Sequence, residues 1–476
     1  MTRTLKHAYR LAILGSFLAL AGCASFSPDG GLVAVNDITA ASLGHETVAV
    51  RTPEQAEAAQ ERVRLLLRQP LSADRAMQVA LLNNKDLQAA YNALGLAEAA
   101  RVQASLPPNP TFSLERIAGA GALEIEGRIV ANILQLATLP ARAEIAADRW
   151  RQAQFQAAGE TLRIATEARR AFYRAVAAQA LVASLVQARE TGQTAAELAR
   201  RLGETGAMNK LDQARNQTFY AEMIAQLGTA RLRATAERER LIRALGLWGD
   251  DLAFKLPARL PPLPARARAL DRIEIDAVRR RVDLQMARIE VEMLAKSYGL
   301  TNATRFISLL DVAGIAKKTR ENGETEREHG FEVEVQIPLF DFGEVKVRQA
   351  EENYLQAVNR LTAKAVNVRS EAREAYQAYR ASFDIARHYR REVLPLRKLI
   401  SDEVLLRYNA MQIDVFALLT EARQRITSTN AAIEAERDFW LAEANLGAAV
   451  LGGNTGAASP ESTVSSATGA EAPGGH

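Results

Sequence analysis

The feature that most constrains this sequence is an alanine-rich, charge-studded run at residues 141–201 that contains no proline. Its apolar residues recur at steps of four and three, as in Ile164, Ala168, Ala171 and Ala175, which is the seam of a coiled coil. A helix of this length is a rod of about 90 Å, so no single globular core can bury it. A second apolar stripe beside the first predicts neighbours on two sides, as in a ring of helices.

The chain after residue 72 divides into two similar halves. The stretch KDLQA at 85–89 returns as VDLQM at 282–286, an offset of 197 residues. Each half is predicted to run helix, strand, strand, very long helix, turn, helix. Four prolines between 256 and 264 cannot continue a helix, so they predict an extended linker.

These signals predict the following division of the chain. The segments are a signal peptide (1–22), a lipidated extended N-terminal segment (23–71), a first repeat (72–250), a linker (251–268), a second repeat (269–451) and a disordered tail (452–476). Within the repeats we expect strand pairs near 109–136 and 304–340, long helices near 141–201 and 344–408, and closing helices near 209–246 and 414–450.

The predicted strands alternate between apolar and acidic residues. Phe331, Val333 and Val335 alternate with Glu332 and Glu334. A half-buried sheet in a soluble protein would show the same alternation, but the acidic face favours a transmembrane barrel, in which lipid faces the apolar set and the lumen takes the carboxylates. Four strands cannot enclose an open lumen, and lipid excludes open sheet edges, so several chains must contribute.

The N-terminus predicts export and lipidation. Three basic residues precede an apolar run of ten residues, 11–20, which is too short to span a bilayer as a helix and is typical of a signal peptide. The sequence Leu-Ala-Gly-Cys at 20–23 then resembles the lipobox of bacterial lipoproteins, which implies a covalent lipid, palmitate included, on Cys23. Ala24 resembles the residue that sorts such proteins to the outer membrane. Cys23 is the only cysteine, which excludes an internal disulfide.

Two stretches of the second half resemble signature motifs of the TolC family of outer-membrane factors, in its lipoprotein branch. Residues 337–343 read Ile-Pro-Leu-Phe-Asp-Phe-Gly and residues 407–410 read Arg-Tyr-Asn-Ala. The resemblance extends over about 72–451. It implies a mainly α trimer in which each chain gives four strands to a twelve-stranded transmembrane β-barrel, continuous with a periplasmic α-helical coiled-coil barrel.

Physical roles can be assigned to the strand-to-helix motif. Pro338 ends strand pairing, Asp341 can cap the coming helix, and Gly343 permits a sharp turn. In the first half Pro140 replaces this glycine at a first helical position, where its missing N–H has no cost.

The resemblance also implies a periplasmic gate near the hairpin tips. The positions where related proteins carry gating aspartates are Ala417 and Thr420 here, which have no charge. Asp212 and Asp414 are the nearest alternatives and are our candidate gate residues. An aspartate that follows a helix break is more often an N-cap, and that interpretation stands beside the gate for Asp414.

The function predicted on these grounds is an outer-membrane efflux duct in a Gram-negative bacterium. Its implied partners are two further copies of the chain, a periplasmic adaptor, an inner-membrane pump of the RND type and outer-membrane lipid. A net charge of +4 gives no reason to expect nucleic acid. No convergent catalytic or metal-ligating set is present, so we expect no enzyme, no metal and no cofactor apart from the lipid on Cys23. A type I secretion duct and a lipid-anchored coiled-coil adaptor or scaffold remain alternatives, and drugs, metal ions and proteins remain open as substrates.

Overall fold

The computed structural model describes residues 25–44, 47–119, 122–321 and 324–452. The predicted signal peptide, Cys23, the Asn322–Gly323 turn and the tail beyond Gly452 lie outside these residues. The elements up to the linker are α1 Leu32–Leu43, α2 Pro53–Leu67, α3 Ala73–Asn83, α4 Lys85–Ser105, β1 Thr111–Gly119, β2 Ala122–Asn132, α5 Ile133–Ala137, α6 Leu139–Glu204 and α7 Lys210–Leu245. After a 3₁₀ turn, Gly249–Leu252, follow α8 Ile273–Arg280, α9 Val282–Ala303, β3 Leu309–Glu321, β4 Glu324–Gln336, α10 Glu344–His388, a π-helical segment Tyr389–Val393, α11 Leu394–Asn409 and α12 Val415–Leu451.

The internal repeat is visible at one backbone position in each half. Asn84 separates α3 from α4, and Arg281, 197 residues later, separates α8 from α9. Both residues are extended, with φ and ψ of −66° and 122° at Asn84 and −67° and 118° at Arg281. Each half therefore opens with two helices joined by one extended residue, where the sequence predicted a single helix.

The four strands form one antiparallel sheet in the order β1-β2-β3-β4. The two halves meet between β2 and β3, where Gly127 pairs with Ala316 and Asn132 pairs with Asp311. β1 and β4 are the edges. The prediction of two strand pairs in one sheet is confirmed.

The long helix α6 packs at the centre of the helical part of the chain. It contacts helices of both halves, among them α4, α7, α9 and α12. It alone among the described helices contains a window apolar enough to cross a bilayer, yet half of that window is buried within the chain. Its apolar character therefore reflects helix packing.

A row of aromatic rings joins the two halves. Tyr173 of α6 stacks on Trp440 of α12 with ring centroids 5.2 Å apart, and Phe439 lies 5.1 Å from Trp440. Tyr379 of α10 then packs against Phe439 at 5.6 Å. The indole N–H of Trp440 donates to the Pro261 carbonyl at 3.1 Å, which fixes the linker onto this row.

The prediction of an extended segment at 23–71 is wrong, because α1 and α2 occupy most of its described part. Thr52 and Gln55 form a capping box at the start of α2, with Pro53 at its first turn. Val35 of α1 and Val63 of α2 are buried in the first-half core. Only Val63 of α2 is fully buried, so the helix contributes little to the core.

The prediction of one unbroken helix over 344–408 also needs correction. Pro395 has no N–H to donate to the Arg391 carbonyl, and its ring crowds the preceding turn. The chain accommodates it with the π-helical segment, in which the Leu394 N–H donates to the Tyr389 carbonyl. The closing helices agree with the predicted boundaries to within one residue, and the linker between Ala253 and Arg272, predicted at 251–268, contains no helix or strand.

Candidate functional site

One face of the sheet carries every acidic residue of the described strands, and we call it the acidic face. Antiparallel partners point to the same side, so the register assigns each residue to a face. The acidic face contains Glu115, Glu124, Glu126, Asp311, Glu321, Glu324, Glu326, Glu328, Glu332 and Glu334. Its two cations are both paired: Arg128 lies 2.9 Å from Glu332, and Lys317 lies 2.7 Å from Glu124. Carboxylates thus dominate the charge of this face.

In the two inner strands, β2 and β3, the acidic face is the less accessible side of the sheet. Along β3, Val312, Gly314 and Ala316 on the opposite face are exposed, whereas Ala313 is buried and Ile315 is half-buried. Alternation of this kind is expected when a twisted sheet curves and one face becomes concave. We therefore assign the acidic face to the concave side.

The opposite side of the sheet, which we call the apolar face, carries exposed hydrophobic residues. One row across all four strands reads Phe112, Ile129, Gly314 and Phe331. Phe112 is 67% exposed and Phe331 is 82% exposed. An exposed apolar surface that extends over four strands is expected to meet lipid or another protein. The predicted alternation at 331–335 is confirmed, and so is its division into two faces.

The strand-to-helix motif forms a tight turn at the helix-side end of β4. Gly343 has a left-handed backbone with φ of +74°, and a Cβ placed there would lie 2.2 Å from the carbonyl oxygen of Arg305. Both the dihedral angle and the space therefore require glycine. Strand pairing stops at Gln336, two residues before Pro338, as expected. The prediction for Asp341 is wrong in detail, because its Oδ1 accepts from the Gly343 N–H at 3.1 Å and Gly343 itself precedes the helix.

Asp212 lies in the first turn of α7, at the tip of the first helical hairpin. The cap of this helix is Asn209, whose Oδ1 accepts from the Asp212 N–H at 2.8 Å. The Asp212 carboxylate in turn accepts from the Asn209 side-chain amide at 2.8 Å and from Arg215 at 3.1 Å. Asp212 is thus a half-buried anion at the tip, held by one cation.

Asp414 lies at the equivalent tip of the second hairpin and caps α12. Its Oδ1 accepts from the Ala417 N–H at 2.9 Å. The carboxylate therefore has a structural role, and the capping alternative considered for this residue is observed. A role in gating remains a prediction for both aspartates.

The structure brings the two tips together through arginines that the sequence did not single out. The Arg215 guanidinium, which binds Asp212, lies 5.5 Å from the ring centre of Phe416, two residues after Asp414. Arg423 of α12 donates to the Arg215 carbonyl at 3.3 Å. These contacts depend on how the hairpins pack, and no local pattern in the sequence predicts them.

Comparison with known proteins identifies structures that share this fold. No curated protein matches the sequence, but the family model of outer membrane efflux proteins matches residues 276–397, from α8 into α11. CusC, described as forming a transmembrane channel, shares 13% identity at a TM-score of 0.68, covering 80% of this chain and 92% of CusC. The fold is that of a TolC-type outer-membrane channel.

Two further TolC-type structures agree with this result. The CmeC outer membrane channel of Campylobacter jejuni matches with a TM-score of 0.67 at 14% identity, covering 88% of this chain and 92% of that one. The outer membrane protein VceC of Vibrio cholerae gives 0.66 at 14% identity, covering 80% and 96%. The resemblance is confirmed, and so is the prediction of a mainly α chain with one four-stranded antiparallel sheet.

Proposed function

We propose that this chain is the outer-membrane duct of a tripartite efflux system in a Gram-negative bacterium. One observation carries the proposal. A sheet with an acidic concave face, an apolar convex face and two open edges continues directly into helices far longer than a domain core needs. Such a sheet suits a water-filled pore through lipid, and the helices suit a tube that extends from it into the periplasm.

The open edges call for further copies of the chain. β1 and β4 leave backbone N–H and C=O groups unpaired, which lipid does not tolerate. If β1 of one copy pairs with β4 of the next, three copies close a barrel of twelve strands, which is wide enough for a channel. The helical part supports the same assembly, because Val366, Leu396, Leu399 and Leu406 are exposed apolar residues on α10 and α11.

In the same proposal the N-terminal segment anchors the assembly. The Ser27 N–H donates to Glu98 at 2.6 Å, and the Ser25 carbonyl accepts from Arg101 at 3.0 Å. Along α4 these partners approach the sheet, so the chain runs toward the membrane as it nears its start. Cys23 would follow two residues beyond Ser25, and we infer that a lipid on its thiol enters the inner leaflet of the outer membrane.

The hairpin tips are the proposed site of regulation. In this scheme a periplasmic adaptor docks at the tips, an RND-type inner-membrane pump supplies the energy, and docking widens a resting constriction near Asp212 and Asp414. The duct itself is passive and catalyses no reaction. The adaptor alternative explains the hairpins and the anchor, but it leaves the amphipathic sheet without a role, and a type I secretion duct would use the same channel.

Reversal of charge at the tip tests the gate. In Asp212→Lys the cation at position 212 repels Arg215 and loosens its contact with Phe416. We therefore expect resting single-channel conductance to rise about twofold or more, an estimate from the loss of one solvent-accessible ion pair at the tip. Lys210→Gln, two residues away at the same tip, is the control and should leave conductance unchanged. Equal conductance in wild type and Asp212→Lys would remove Asp212 from the gate.

The function as a whole is tested by reconstitution of the full-length protein in planar bilayers. We expect discrete conductance steps, together with an oligomer that withstands detergent on unheated gels and dissociates on heating. An adaptor or scaffold would give neither result. A water-soluble monomer without channel activity would overturn the proposal.

A further inference from the structure

A row of cations crosses the apolar face close to the strand tips. Arg116, Ile125, Lys318 and Arg327 are consecutive partners across β1, β2, β3 and β4. Three of these four residues are basic and exposed, and we call Arg116, Lys318 and Arg327 the outer basic row. Arg320 lies one row nearer the tips on the same face.

The outer basic row lacks internal counter-charges. No acidic residue of the described strands lies on the apolar face, and within the described chain none of the three cations forms an ion pair. Lys318 and Arg327 are direct partners, an arrangement of like charges that destabilises a sheet. By contrast Lys317, the adjacent residue on the acidic face, is paired with Glu124 at 2.7 Å. The row therefore lacks the carboxylate partners that Arg128 and Lys317 have on the acidic face.

The position of the row specifies the chemistry of what can bind it. The helices join the sheet at the opposite end of the strands, so the row lies at the external end of a membrane-spanning sheet. Between Leu310 and Ala316 the apolar face of β3 has no charge over about 20 Å of strand, which approaches the apolar band of about 25 Å on barrels of this kind. The cations thus begin where the hydrocarbon of the outer leaflet ends.

We propose that the outer basic row binds the phosphate groups of a phosphorylated glycolipid in the outer leaflet of the outer membrane. The acyl chains lie on the apolar rows beside Leu114 and Phe331, and the phosphates accept charge-assisted hydrogen bonds from Arg116, Lys318 and Arg327. A lipid is favoured over a free anion because the cations are continuous with the apolar rows beneath them. This assignment rests on the proposed membrane insertion of the sheet.

Binding of lipid A by the solubilised full-length protein tests the assignment. The probe is bisphosphorylated lipid A in detergent micelles, titrated and measured by native mass spectrometry. We expect Arg116→Gln/Lys318→Gln/Arg327→Gln to bind about tenfold more weakly than wild type, as loss of three partly solvated charge contacts predicts. Dephosphorylated lipid A should bind wild type and the triple variant alike.

The sheet offers a matched control at a neighbouring position. Lys317→Gln removes the same charge from the same strand on the acidic face and should leave lipid A binding unchanged, whereas Lys318→Gln alone should weaken it about twofold. The proposal is overturned if the triple variant binds as wild type, if dephosphorylated lipid A binds wild type equally well, or if phosphatidylglycerol matches lipid A. The single variants keep the test valid if the triple variant fails to assemble.

Channel formation is measured separately, in phosphatidylcholine bilayers that contain no glycolipid. Conductance by both wild type and the triple variant would support the duct whatever the outcome with lipid A. Loss of lipid A binding together with retained conductance supports the outer basic row. Absence of conductance in wild type would instead contradict the proposed function.

Discussion

The long helices of the two halves begin at equivalent positions and end in different surroundings. Buried residues occur along nearly all of α6, from Ile145 to Ala199. In α10 they are confined to the stretch between Ala357 and Ala386, and α11 has none. Apolar residues are nevertheless present there, and Leu399 is 65% exposed.

The difference shows that the two equivalent long helices have different roles. The first-half helix takes its stability from partners within the chain, whereas the second-half helix presents apolar side chains that further copies of the chain can cover. Similar local sequence therefore gives similar elements, and the surroundings decide which element becomes core.

Truncation of one core residue and one exposed residue should separate these roles most strongly. Phe172 of α6 is 1% exposed, so Phe172→Ala should lower the free energy of unfolding by about 3–5 kcal/mol. Leu399→Ala of α11 should change it by less than about 0.5 kcal/mol while weakening the oligomer. Denaturant unfolding and oligomer size in detergent measure the two effects. Equal losses of unfolding free energy would contradict the comparison.

The strand-to-helix turns should also respond differently in the two halves. Gly343→Ala places a Cβ against the Arg305 carbonyl at positive φ, and we expect a loss of about 3 kcal/mol or more. Pro140→Ala, at the first-half turn, should cost less than about 1 kcal/mol. Gly299→Ala is the control, since its helical position has open space and the change should stabilise by about 0.4–1 kcal/mol. Tolerance of alanine at 343 in an unfolding assay would show that the turn can relax.

A partly buried ion pair between the halves should give a pH-dependent effect of intermediate size. Lys296 of α9 donates to Asp148 of α6 at 2.7 Å. Burial raises the pKa of the Asp148 carboxyl, but hydrogen bonds from Lys296 and Arg151 outweigh burial, so the pKa is lowered. The unfolded chain therefore binds the proton more tightly, and the stabilisation is present above the ordinary aspartate pKa and is lost as pH falls through the folded value.

Asp148→Asn should thus cost about 1–2 kcal/mol at neutral pH and progressively less in acid. Glu144→Gln is the control, because Glu144 is 3.9 Å from the same lysine but largely exposed, and its effect should be close to zero. Unfolding free energies measured from pH 7 down to about 3 provide the check. A cost for Asp148→Asn that does not depend on pH would rule out a role for the charge.

The smallest effect is expected at the π-helical segment of the second half. Pro395→Ala restores an N–H that can donate to the Arg391 carbonyl, so the segment should relax toward a regular α-helix. We expect a change in unfolding free energy below about 1 kcal/mol and slower amide hydrogen exchange at residues 389–395. Unchanged exchange there would mean that packing, and not the proline, sets the π geometry.

Local signals predicted most of the architecture. The periodicity of apolar residues predicted the long helices and the strands. The motif repeated at 85–89 and 282–286 predicted the two halves. The glycine at 343 was expected from turn geometry alone. Other features escaped, among them the helices α1 and α2 and the extended residues Asn84 and Arg281. The capping box that begins α2 is a local signal that was overlooked. The π segment depends on how the chain accommodates Pro395, and the contact between Arg215 and Phe416 depends on the packing of two hairpins.

The outer basic row is another feature that the sequence alone could not predict. Alternation within a strand indicates that Lys317 and Lys318 face opposite ways. It does not indicate that Arg116, Lys318 and Arg327 lie in one row, because that depends on the register between strands.

The row of aromatic rings has a consequence for the order of folding. Trp440, near the end of the chain, completes packing around Tyr173 and binds the Pro261 carbonyl. The first half therefore cannot finish its interior until the last helix has been made, and contacts over such long sequence separations form late. For a polypeptide with a predicted signal peptide, the interior of the first half would therefore be completed only after α12 has been exported.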